Sequence, residues 1–97
     1  IGAMRALTSL FLGGNHLTGP VPSEIGLIVP LRDLSLNLTY VSGTIPSELG
    51  QLNQLSHLYL INTDLTGSVP AEVCSLPLVS LAVDCMQVIC DCDCSCA

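Results

Sequence analysis

The sequence predicts an α/β-type solenoid, a stack of short coils in which each repeat packs on its neighbours. Three observations lead there. Gly19, Gly43 and Gly67 fall 24 residues apart, as do Pro22, Pro46 and Pro70, and Glu24, Glu48 and Glu72. A second pattern, Leu7-x-x-Leu10-x-Leu12, steps by the same interval to Leu31, Leu34 and Leu36 and on to Leu55, Leu58 and Leu60. It returns as Leu78, Leu81 and Val83 after 23, so the last copy has lost one residue. Finally, all six cysteines crowd into the last quarter of the 97-residue chain, where a solenoid needs its exposed end sealed.

The elements of one repeat follow from these positions. Alternation over a short leucine run predicts a strand with its leucines inward, and stacked copies make a parallel sheet along one edge. Ile28, Leu52 and Leu76 recur by 24 and are expected to face inward from the opposite wall. The repeated glycine allows a backbone turn that a β-carbon would hinder. The proline cannot donate to a ladder and ends local pairing. Ser23-Glu24 and Ser47-Glu48 then open a short helical turn, with the carboxylate at its positive end.

Residues 7 to 26, Leu-x-x-Leu-x-Leu-x-x-Asn-x-Leu-Thr-Gly-x-Val-Pro-x-Glu-Ile-Gly, resemble the plant-type leucine-rich repeat, and the resemblance extends to about residue 83. The tail, from Cys74 through Cys85 to Cys90, Cys92, Cys94 and Cys96, is similar to the C-terminal ends of extracellular leucine-rich-repeat proteins of diatoms and related algae. The resemblance implies a right-handed superhelix with the short parallel sheet on its concave face and short helical or 3-10 turns opposite. It implies a curved surface that binds a protein, peptide or glycan. Residues 1–83 are then about four repeats, and 84–97 a cysteine-rich cap. One departure stands out. The family places asparagine after each strand to satisfy backbone groups, and Asn15 fits, but the equivalents are Thr39 and Thr63. A shorter side chain with one hydroxyl predicts poorer hydrogen bonding at those turns.

In that architecture the outward strand positions form the concave face. Repeat register assigns Ser9, Asp33, His57 and Ser80 to one column, Phe11, Ser35, Tyr59 and Ala82 to the next, and Gly13, Asn37, Ile61 and Asp84 to a third. Phe11, Asp33, Ser35, His57 and Tyr59 are the candidate ligand contacts, because exposed aromatics beside polar groups resemble interface anchors. The competing reading is ordinary sheet-surface residues of high strand propensity. His57 lies one coil from Asp33, close enough for a weak ion pair. Asn37-Leu38-Thr39 is an N-glycosylation sequon, which would put a glycan at the edge of this face. The Glu24, Glu48 and Glu72 column suits a solvated face better than a calcium site, whose known loops have other spacings.

The cysteines admit two explanations: a disulfide-stapled cap made in an oxidising compartment, or a thiolate metal site. A solenoid end has to be sealed, which favours the cap. Only Cys74 and Cys85 lie outside the tail cluster, so full pairing forces a bridge within Cys90, Cys92, Cys94 and Cys96. An i,i+2 bridge is strained in extended chain. The tail is therefore expected to fold back with Cys90 to Cys94 or Cys92 to Cys96, while Cys74 and Cys85 tie it to the last repeat. A redox thiol needs a neighbouring cation or helix start, and the tail offers Asp84, Asp91 and Asp93 instead.

Charge narrows the partners. Two cations, Arg5 and Arg32, face eight carboxylates, for a net charge of −6. Nucleic acids and anionic membranes both need clustered Lys and Arg. No aliphatic run approaches the ~20 residues of a membrane helix, so this segment is expected not to insert. Phosphate loops, dinucleotide fingerprints and catalytic motifs are missing, and neither an enzyme nor a cofactor is expected. The chain opens inside a repeat, as the C-terminal piece of a longer array would. The expected role is an extracellular or cell-surface recognition module. Its alternatives are a purely structural cap with ligand contacts upstream, and an inhibitor of a secreted hydrolase.

Overall fold

A computed structural model describes residues 7–96. Arg5 and the outermost residues of both expected segments lie outside that range. Each coil runs along a strand of one sheet, turns, runs along a strand of a second sheet, and returns through a helical turn. The strands are β1 (Ser9–Phe11), β2 (Thr18–Pro20), β3 (Asp33–Ser35), β4 (Tyr40–Thr44), β5 (His57–Leu60), β6 (Asp64–Ser68), β7 (Ser80–Val83), β8 (Val88–Ile89) and β9 (Ser95–Cys96). The return segments are 3-10 turns at Ser23–Leu27 and Ser47–Gln51 and one turn of α-helix, α1 (Ala71–Cys74). The first sheet has the order β1-β3-β5-β7-β9, the second β2-β4-β6-β8, and every pairing is parallel.

The leucine columns form the core between the two sheets and the helical turns. Leu10, Leu34, Leu58 and Leu81 align strand to strand, and Leu34 and Leu58 are fully buried. Each such side chain contributes roughly 1.5–3 kcal/mol of apolar burial. Ile28 and Leu52 close the core from the opposite wall, as their periodicity implies. Gly19, Gly43 and Gly67 hold φ of +77°, +78° and +81°, the left-handed region that favours glycine.

The second sheet is the largest feature that the leucine pattern does not announce. Its strands are Thr-, Val- and Ser-containing segments with the glycine inside them rather than at their ends. The proline that follows closes each one by withholding an N–H, so it marks a strand end rather than the absence of a strand.

The threonine expectation is overturned at Thr39, while the bond at Thr63 is longer than that of Asn15. Thr39 Oγ1 donates to the Leu36 carbonyl at 2.8 Å and Thr63 Oγ1 to the Leu60 carbonyl at 3.3 Å. Asn15 Nδ2 makes the same i−3 bond to Leu12 at 2.9 Å. Both threonines are buried, and the Thr63 hydroxyl also accepts from the Leu65 N–H at 3.4 Å. A hydroxyl reaches the carbonyl because the turn brings it directly beneath the side chain, so the extra length of asparagine is unnecessary there.

The tail is built as a shortened further coil. β8 extends the second sheet beside β6, β9 extends the first beside β7, and Val88 joins the core. Disulfides hold it: Cys74–Cys92, Cys85–Cys96 and Cys90–Cys94, with Cα separations of 5.7, 5.2 and 6.4 Å. Cys90–Cys94 is one of the two local bridges named from spacing.

Position 74 belongs to a column otherwise filled by glycine. Gly26 and Gly50 occupy the same place in the two preceding helical turns. A β-carbon on Gly26 would collide with the Glu48 carbonyl, and one on Gly50 would lie 2.5 Å from Glu72 Cβ. The next coil's backbone takes the space. At the third equivalent position a side chain fits, and it is the cysteine that anchors the tail through Cys92.

Candidate functional site

Strand register builds the outer face of the first sheet into columns. In the first, Ser9, Asp33, His57 and Ser80 lie side by side on β1, β3, β5 and β7. The Ser9 hydroxyl donates to Asp33 Oδ2 at 3.0 Å. His57 Nε2 lies 4.0 Å from Asp33 Oδ1, and His57 Nδ1 lies 2.9 Å from Ser80 Oγ. These four residues make one polar chain across the sheet. The Asp33 and His57 side chains remain 32% and 35% exposed, accessible to a ligand.

The second column alternates large and small: Phe11, Ser35, Tyr59, Ala82. Phe11 stands 64% exposed and Tyr59 is half-buried, while Ser35 is 8% exposed and Ala82 is flanked by Ser95 of β9. Ser35 is therefore the floor of a depression rather than a protruding contact. Neighbouring strands are about 4.8 Å apart, so Phe11 and Tyr59 face each other across Ser35 at roughly 10 Å. The His57 and Tyr59 rings are parallel within 11°, with centroids 6.1 Å apart.

The third column is structural. Asn37 Oδ1 accepts the Ile61 N–H at 2.7 Å. Two coils on from Asn37 in this column, Asp84 accepts from the N–H groups of Asn62 and Thr63 in the preceding coil, at 3.1 and 3.2 Å. These side chains tie one coil to the next. Sequence reasoning placed Asp84 in the column and missed this role. Ser9 and Ser80 were likewise in their column without being named as candidates, although a serine beside Asp or His in register is the signal that finds them.

Ser80, His57 and Asp33 put a hydroxyl, an imidazole and a carboxylate in line, the components of a hydrolytic triad. Stabilising an oxyanion would require free donors beside Ser80. The N–H groups of Val79 and Ser80 are both committed to the Ser56 carbonyl, at 2.7 and 3.1 Å.

Elsewhere, Glu24, Glu48 and Glu72 are all exposed. An apolar cavity of about 250 Å³ lies in the first coil among Leu10, Leu12, Leu17, Ile25, Ile28 and Val41. The Sγ atoms of Cys90, Cys92 and Cys94 lie within 4.8 Å of one another, each also bonded in one of the disulfides above.

A model of the Leucine Rich Repeat family matches residues 6–28. The ectodomain of the receptor kinase SOBIR1 from Arabidopsis thaliana is similar over 78% of this chain, with 31% identity and a TM-score of 0.71. The plant peptide hormone receptor RGFR1, solved in complex with RGF2, is similar over 98% of the chain, with 22% identity and a TM-score of 0.63. The chain spans 42% of the first structure and 18% of the second. The curated proteins contain no significant match.

Proposed function

Because this chain belongs to the leucine-rich-repeat family, we propose that it is a recognition module whose concave sheet binds a protein, peptide or glycan. The observation that supports this most directly is the second column. Phe11 and Tyr59 are held in register beside the Ser9-Asp33-His57-Ser80 chain by backbone pairing alone. A surface built by the ladder is preformed, so a ligand meets little ordering cost. In this reading the module belongs to a larger secreted or membrane-anchored receptor-like protein outside the cell. Three disulfides and the similarity to the SOBIR1 ectodomain support that home. Among the described residues no helix is long and apolar enough to cross a membrane.

Residues 84–97 act as the cap, and Asn37 carries the glycan. Its Oδ1 is occupied by Ile61, which leaves Nδ2 as the group to be modified. Thr39 is buried with its hydroxyl bonded to Leu36, so glycan transfer precedes closure of that coil. A mass increase of the Asn37 peptide in secreted protein, absent from Asn37→Gln, checks this.

The recognition role is tested by selecting binders from displayed peptides and from a glycan array. Binders are then measured on Phe11→Ala and Tyr59→Ala, with Glu48→Gln on the opposite face as control. Loss with the first two alone supports the role. Equal binding by all variants favours the second reading, a structural end segment with contacts upstream, for which the Gly26-Gly50-Cys74 register speaks. Inhibition of a secreted hydrolase, the third reading, is checked in an activity assay.

A further inference from the structure

Resting on that recognition role, we infer that the depression over β3 receives an arginine side chain from a peptide ligand. Phe11 and Tyr59 are its walls and Ser35 its floor. Asp33 stands two residues before Ser35 on the same strand and face, so its carboxylate closes one end. That carboxylate keeps acceptor capacity. Ser9 donates to Oδ2, whereas among the described residues Oδ1 has only His57 Nε2 nearby, at 4.0 Å, beyond hydrogen-bond distance.

A guanidinium matches each wall of this site. It is planar and weakly hydrated, so it stacks against aromatic rings, and its forked N–H groups suit a carboxylate. An ammonium is a compact, strongly hydrated charge that gains less from the two rings. Ser9 holds the acid in place, and the net charge of −6 draws a cationic segment toward the sheet.

The test selects peptides from a phage-displayed library on the folded, disulfide-bonded chain. The binders are remade with arginine, lysine or citrulline at each arginine position. The arginine peptides are then measured on Asp33→Asn, Tyr59→Ala and Glu48→Gln, each checked for unchanged thermal unfolding. Selected peptides are expected to share an arginine. Lysine or citrulline there, or Asp33→Asn or Tyr59→Ala in the protein, weakens binding about fivefold, the scale of one exposed ion pair or cation–π contact. Glu48→Gln leaves binding unchanged. Binders without arginine that still fail on Tyr59→Ala would overturn the arginine assignment and leave the recognition role standing. Binders indifferent to every concave substitution, or no binders at all, would count against both.

Discussion

Gly50→Ala is the substitution that most directly tests how the coils stack. The added β-carbon would lie 2.5 Å from Glu72 Cβ and 2.9 Å from both the carbonyl carbon and the oxygen of Glu72. Two of those three atoms are backbone, so rotating a side chain cannot relieve the overlap. The turns at Ser47–Gln51 and Ala71–Cys74 must move apart, and Leu49, Leu52 and Val73 between them lose contact. Overpacking of this kind costs typically 1–3 kcal/mol, and alanine recovers about 0.5–1 by restricting the unfolded chain. The net expectation is a loss of about 1 kcal/mol, or a fall in Tm of roughly 4–8 °C for a domain near this size. Thermal unfolding of the disulfide-bonded protein, followed by circular dichroism, measures it. Gly43→Ala is the comparison, because its β-carbon meets nothing within 4 Å and only the φ of +78° is strained, a cost of about 1–2 kcal/mol. If Gly50→Ala unfolds at or above the wild-type temperature, close coil approach is not what excludes a side chain there, and the contrast with Cys74 falls with it.

Other consequences are measurable by the same unfolding experiments. Thr39→Val is expected to lose about 1–3 kcal/mol by leaving the Leu36 carbonyl unpaired, with Thr39→Ser close to wild type. Leu38→Gly is expected to gain about 0.5–1 kcal/mol, since Leu38 holds φ of +60° while 61% exposed and sacrifices little burial. Asp84→Ala should cost about 1.5–3 kcal/mol and speed hydrogen exchange at Asn62 and Thr63, whose N–H groups it accepts. Cys74→Ser with Cys92→Ser opens a loop of 18 residues and should lose about 3 kcal/mol. Reducing the wild-type protein should add ~6 Da, one hydrogen per sulfur, with no native alkylation.

Most of the first sheet was legible because its leucines are a strict function of burial. An inward position tolerates nothing polar, so Leu10, Leu34 and Leu58 repeat without exception and the strand register follows. The second sheet was hidden because its strands bury one residue each, Val41 in β4 and Leu65 in β6, among exposed polar neighbours. Backbone pairing carries those strands, and backbone pairing leaves little mark on residue type. The same reason hid β8 and β9, two residues each. Threonine as a substitute for asparagine was misjudged by counting donors instead of asking how far the carbonyl lay. Candidate contacts were placed correctly on one face, because strand alternation fixes the face. The depth of Ser35 was not, since depth depends on what stands on either side.

Solenoid construction separates what stabilises this chain from what it would recognise. The inward columns are full of leucine and intolerant of change. On the outer face, Phe11, Asp33, His57 and Tyr59 make few contacts with the core, so replacing them alters the surface and leaves the stack intact. The third column breaks that rule: Asn37 and Asp84 face outward by periodicity, yet Asn37 holds the next coil by its backbone and Asp84 holds the preceding one. A ligand surface on this scaffold can therefore vary freely in two columns and is constrained in the third. That is why the proposed arginine cleft lies over Asp33 and Ser35 and stops short of Asn37.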